Sequence, residues 1–196
     1  MKRISVLIIT LFAVGVFGYT LIHALYLSPQ GEQYAPAHAV SIGPVEEPDR
    51  LIIPSLSIDA NVQQVGLTKA GNMGIPSNFK DVAWYKYGTA PGQKGSAVID
   101  GHVDNGLALP GVFKHLGDIA VGDTVQVHTK QGSTLTFAVD EIERYPKDAV
   151  PLDKVFSRAD TARLTLITCT GDWVQAQRTY DTRLIVYTHL VNRVEP

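Results

Sequence analysis

A chain of 196 residues, 45 % of them apolar, has the material for one cored domain plus an extension, since domains usually run to about 100–150 residues. Its 17 basic and 19 acidic side chains give a formal net charge of −2. That balance excludes the basic face on which nucleic-acid binding depends, so no nucleic-acid partner is expected.

Lys2 and Arg3 precede an uncharged run from Ile4 to Leu27, with His23 its one readily ionisable group near neutrality. As a helix rising about 1.5 Å per residue, the run spans the roughly 30 Å hydrocarbon core of a bilayer. The two cations on the short side predict a cytoplasmic tip and export of everything that follows. A cleaved signal peptide is the competing reading, but its apolar region normally covers about 7–15 residues with a small-residue site close behind. Here the run is longer, and Ala37-His38-Ala39 lies well beyond it. The expectation is a single-pass transmembrane anchor over residues 1–27, holding an extracellular domain to the cytoplasmic membrane.

Residues 28–49 carry Pro29, Pro36, Pro44 and Pro48 among Gly, Ser, Ala and acidic residues, without apolar periodicity. Such a segment buries too little surface to fold alone and reads as an extracellular linker. The folded domain is expected over 50–196.

That domain is mainly β. Val125 and Val127 alternate with Gln126 and His128, Lys130-Gln131-Gly132-Ser133 turns, and Leu135, Phe137 and Val139 resume the alternation, which predicts a hairpin with one buried face. Gly95–Gly101 (GSAVIDG) reads as a buried strand, and Arg163–Cys169 and Arg183–His189 as two more. Pro110–Leu116 and Leu152–Phe156 are the two short helical candidates. Many short strands between turn signals point to a closed barrel or a sandwich, the barrel being preferred.

The lone cysteine is the sharpest chemical signal. An exported chain with one Cys closes no internal disulfide, so Cys169 is either a reactive thiol or a small buried hydrophobe. Thr165-Leu166-Ile167-Thr168-Cys169 reads as a core strand, with Gly171-Asp172 marking its exit into a loop. A thiol at a strand end beside a loop suits a nucleophile, which needs a cationic or acid–base neighbour. If the strand beginning at Arg183 returns antiparallel, Arg183 lies beside Cys169 and offers fixed donors to an oxyanion. A solvated or salt-bridged rim arginine is the plainer fate, and Arg178 is the rival. Among six histidines, His23 falls in the anchor and His38 in the linker. His128 belongs to a solvent face, His115 to a short helical turn, and His189 lies near the C-terminus. His102, following the buried strand at Asp100-Gly101, shares the strand-end placement of Cys169. The three side chains are expected to converge at one mouth of the barrel. Thr168 assists through its hydroxyl or packs the strand. Trp84 and Tyr85 line a groove or fill the core, the latter being the commoner fate.

Thr165–Cys169 matches the TLxTC motif of sortases, the transpeptidases that attach surface proteins to the envelope of Gram-positive bacteria. Gly101-His102-Val103-Asp104 resembles the segment carrying the sortase histidine, and Arg183, opening an apolar strand, stands where sortases carry their arginine. The resemblance covers essentially all of 50–196, including Leu51-Ile52-Ile53-Pro54 and Pro91-Gly92-Gln93-Lys94-Gly95-Ser96-Ala97. The GHVD segment and the Cys-Thr-Gly-Asp exit are similar to the class F type. The resemblance implies an eight-stranded sortase β-barrel with His102, Cys169 and Arg183 as the catalytic set. Its substrate would be an LPXTG-like sorting signal near the C-terminus of a secreted protein. Its acceptor would be an amine of a peptidoglycan precursor or cross-bridge, reached through a thioacyl enzyme. No cofactor is implied. The acidic calcium loop of class A is not evident, Asp148 and Asp153 being a poor substitute, so no metal is expected. Two alternatives stay open: an exported cysteine peptidase that hydrolyses the thioester, and a non-catalytic zinc-binding or structural domain using His102, Asp104 and Cys169.

Overall fold

The structure is a computed structural model that describes the backbone of residues 2–26, 33–34 and 46–196, with side chains over 8–22 and 46–196. Its first element is a helix, α1 (Lys2–Tyr26). Between Ile8 and Ile22 its large apolar side chains are exposed, Phe12 by 73 % and Phe17 by 68 %. Among the described residues, no helix is long and apolar enough to cross a membrane. Most of the expected linker lies outside the described residues. Its Gln33–Tyr34 form a short strand, β1, which pairs antiparallel with β4 (Asn72–Met73).

Period-two patterning builds the rest. The remaining strands are β2 (Pro48–Ile53), β3 (Ile58–Val65), β5 (Val82–Tyr85), β6 (Gly95–Gly101), β7 (Thr124–Thr129), β8 (Thr134–Pro146), β9 (Ala162–Val174) and β10 (Thr179–Val194). These eight close into a barrel in the order β10-β8-β7-β2-β3-β5-β6-β9. Pairing is antiparallel except for β3 with β5 and β6 with β9. The barrel interior holds Leu51, Ile53, Val125, Val127, Leu135, Phe137, Ala97, Ile99, Leu164, Leu166, Leu184 and Val186. Each such side chain, fully buried, favours the folded state by about 1.5–3 kcal/mol.

A second apolar layer lies outside the barrel wall. Val98, Ile167, Ile185 and Tyr187 project outward and are covered by Val150 and by Val155 and Phe156 of a short helix, α2 (Leu152–Phe156). All seven residues of β6 are therefore buried, as expected of a strand covered on both faces. Trp84 packs in the barrel and Tyr85 in the outer layer, so both are core.

Two local expectations fail for identifiable reasons. The 110–116 segment forms turns and then a single 3-10 turn, Leu116–Asp118, rather than a helix. The amides of Gly111 and Phe113 donate to the carbonyls of Val103 and His102 at 2.9 Å, tying the segment to the loop after β6, while Lys114 and Leu116 close only single turns onto Gly111 and Phe113 at 3.1 Å. Nor does the strand carrying Cys169 end at Gly171. It runs on to Val174, and Gly171-Asp172 form a β-bulge opposite Asp181. Gly171 takes φ +82, and a Cβ there would meet Asp181 Oδ1 at 2.2 Å. A bulge at glycine in the left-handed region bends a strand without ending it.

Candidate active site

Three neighbouring strands supply the candidate site. In the antiparallel ladder of β9 and β10, Cys169 stands directly opposite Arg183. In the parallel ladder of β6 and β9, Asp100 is level with Ile167. One step further, the Thr168 hydroxyl donates to the Gly101 carbonyl at 2.7 Å. His102 follows directly after Gly101, just past the end of β6. Cys169 and Arg183 are thus cross-strand neighbours, and His102 follows the strand on the other side of β9.

The Cys169–Arg183 pair faces outward. Leu166 and Leu184 point into the barrel, whereas Ile167 and Ile185 belong to the outer layer. Two residues further along each strand, Cys169 and Arg183 share the outward parity, as strand geometry requires. The same parity carries from Val98 to Asp100 within β6. Cys169 and Arg183 therefore meet on the outer face of the barrel wall, near one end of it. Thr168, of opposite parity, ties the Cys-bearing strand to the residue before His102.

Each member is held differently. Arg183 is only 3 % exposed. Its Nη1 donates to the carbonyls of Tyr180 and Thr182 at 3.0 and 3.2 Å, and its Nη2 to Thr179 Oγ1 at 3.3 Å. Its Nε is buried without a hydrogen-bond partner, leaving a donor in reserve. Arg178, the rival, is exposed at the hairpin turn with φ 51. His102 is 6 % exposed, and its Nε2 lies 3.1 Å from the Pro76 carbonyl. A carbonyl only accepts, so Nε2 carries the hydrogen and Nδ1 holds the free lone pair of the neutral ring. Gly111 lets the neighbouring segment press against this residue, since a Cβ there would stand 2.3 Å from the His102 carbonyl. Cys169 is partly exposed.

Electrostatics keep the resting pair uncharged. Burial pushes the Cys169 thiol up to about 11; Arg183 opposes this, while Asp100 and Asp104 add to it. Burial lowers the pKa of His102, against the Pro76 hydrogen bond and the charge of Asp104. Both shifts favour the uncharged forms, thiol and imidazole. Burial also raises Asp100 to about 7, opposed by Arg183 and by a backbone bond from Gly101.

Sequence reasoning missed three contributors. Pro76 orients the imidazole, Asp100 lies in the wall beside Cys169 and Arg183, and Asp104 accepts a hydrogen bond from the Tyr180 hydroxyl. Asp104 entered as part of the GHVD segment and as a zinc-ligand alternative, with no partner assigned to it. Among the described residues, no group of three or more His, Cys, Asp or Glu side chains is arranged to hold a metal ion. Among the described residues, His115 and His189 pair with Asp118 and Asp140, and His128 lies on β7.

A thiol opposite a buried guanidinium, on the wall of a β-barrel, has the chemistry of a nucleophile beside an oxyanion donor. The comparisons narrow that class. The family model described as the sortase domain matches residues 51–191. Among solved structures, sortase C1 of GBS pilus island 1 is 22 % identical with a TM-score of 0.57, covering 75 % of this chain and 65 % of that one. Sortase C-1 of Streptococcus pneumoniae is 21 % identical with a TM-score of 0.58, over 74 % of this chain and 67 % of that one. A lid mutant of sortase A from Corynebacterium diphtheriae is 25 % identical with a TM-score of 0.57, over 82 % and 76 %. No curated protein matches the sequence. The chain belongs to the sortase family, and its enzyme class is that of the cysteine transpeptidases.

Proposed function

We propose that the chain cleaves an LPXTG-like sorting signal of secreted proteins and transfers the acyl part to an amine of a Gram-positive cell envelope. The peptidoglycan precursor or cross-bridge is the natural acceptor. The observation that carries this reading is the cross-strand pair Cys169–Arg183, with His102 directly after the neighbouring strand β6. Cys169 passes its proton to His102, and the thiolate attacks the scissile carbonyl. Arg183, with an unpartnered Nε in a dry wall, donates to the oxyanion as charge develops there. The imidazolium of His102 protonates the departing amine and leaves a thioester. An incoming amine gives its proton to His102 and resolves the thioester as an amide. The GHVD segment and the Cys-Thr-Gly-Asp bulge support a class F-like assignment.

The same reading divides the chain into an anchor over 1–27, a linker over 28–49 and a catalytic domain over 50–196. The 25 residues of α1 rise about 37 Å, and its described apolar side chains are exposed, as suits a helix in lipid. The cations Lys2 and Arg3 put its start in the cytoplasm and the barrel outside.

The test uses full-length protein in detergent micelles, an LPXTG-type peptide and excess triglycine. Mass spectrometry is expected to detect a peptide adduct on Cys169 and an amide product containing triglycine. Acid product alone under excess amine removes the transferase reading in favour of hydrolysis. Turnover by Cys169→Ala removes the site.

A further inference from the structure

Asp104 lies two residues after His102, is 5 % exposed, and receives the hydroxyl hydrogen of Tyr180. Tyr180 sits in β10, three residues before Arg183, and its carbonyl accepts from Arg183 Nη1 at 3.0 Å. One residue thus touches Arg183 through its backbone and the His102 loop through its phenol. Both ends are braced. The ring of Trp173, opposite Tyr180 in the ladder, packs edge-on against it at 5.3 Å and 72°. The backbone of Asp104 bridges to Pro110, and Asn105 Oδ1 accepts from the amides of Leu107 and Leu109 at 2.9 and 3.0 Å.

We propose that Asp104 and Tyr180 are a positioning pair, whose hydrogen bond ties the His102 loop to the Cys169–Arg183 hairpin and fixes the imidazole relative to the sulfur. The proposal rests on the catalytic roles given above. The pair has two separable parts. The hydrogen bond sets geometry, and the carboxylate sets the pH range in which Cys169 and His102 share one proton. Its negative charge favours the protonated form of both groups. The groups facing that couple are Asp100 on β6, Arg183 on β10, the Pro76 carbonyl, and Asp104 itself. Burial and the Asp104 bond keep the Tyr180 phenol protonated throughout.

The experiment measures two pH profiles on full-length protein in micelles: kcat/KM for sorting-peptide cleavage, and the alkylation rate of Cys169 by iodoacetamide. Asp104→Asn keeps an acceptor for the phenol and removes the charge, so both kinetic limbs and the alkylation midpoint are expected to move to lower pH. Tyr180→Phe keeps the ring on Trp173 and the charge, so kcat/KM is expected to fall about 10–100-fold with no acidward movement. Asp104→Glu is expected to recover the wild-type pH range. Tyr180→Phe within twofold of wild type, or Asp104→Asn with an unmoved alkylation midpoint, overturns the proposal. Loss confined to thermal stability, with both profiles unchanged at 15 °C, also overturns it. Alkylation needs no peptide, so failure of the wild type to turn over substrate counts against the proposed function and leaves this test intact.

Discussion

The barrel interior and the outer face of β6, β9 and β10 are both buried, yet they are built to different ends. Inside, Leu164, Leu166, Leu184 and Val186 belong to the main apolar cluster. Outside, Ile167 and Ile185 continue along the same strands into Cys169 and Arg183, and Val98 leads to Asp100 and His102. The inner face is satisfied by packing, while the outer face ends in a guanidinium with a donor unused and a thiol held protonated. One set of strands thus carries stability on one face and chemistry on the other.

Substitutions on the two faces should separate these properties. The largest effect belongs to Cys169→Ala, for which peptide cleavage is expected to fall at least about 10⁴-fold while thermal unfolding stays within a few degrees. Phe137→Ala, in the interior, is expected to lose about 3–5 kcal/mol in denaturant unfolding without moving the pH profile. A charge-preserving Arg183→Lys is expected to lower kcat about 10²–10³-fold, because a point charge does not reproduce the fixed fork; equal kcat would reassign the oxyanion donor. Smaller is Thr168→Val, which removes the bond to the Gly101 carbonyl. It is expected to lose about 1 kcal/mol, with a drop in kcat that Leu166→Val, also on β9, does not share.

The pH profile sharpens the comparison further. Productive enzyme holds one proton between Cys169 and His102. On acidification the imidazole gains a second, at a pH below its ordinary value because burial lowers it. On alkalinisation the thiol loses the shared one near 11. The plot of kcat/KM against pH should therefore rise beneath the usual histidine range and fall only in strong alkali. An acid limb above 6.5 would contradict the buried neutral imidazole.

Much of this was legible in the chain. Gly95–Gly101 and Leu152–Phe156 form the elements their patterns predict, and Cys169 pairs with Arg183 as the antiparallel reading required. The facing of Cys169 and Arg183 was not legible. In Thr165–Cys169 both faces are covered, so apolar residues follow one another without alternation and parity is hidden. Gly171 signalled a break, but glycine serves a bulge as well as a turn, and only the pairing with Asp181 decides. The bond between Asp104 and Tyr180 joins residues 76 apart in sequence, a distance over which no local pattern carries information. Pro76 acts through its carbonyl, which every residue possesses.

The parallel register of β6 on β9 has a consequence for how such a chain can change over time. Because side chains alternate strictly, one residue inserted between Leu166 and Cys169 would turn the sulfur toward the barrel interior and leave the imidazole facing an empty wall. Two inserted residues would restore the facing but lift the sulfur a full repeat above its neighbours. Lineages of this domain are therefore free to drift by replacement along these strands and to lengthen only in their loops, since the core enforces a reading frame on the chemistry.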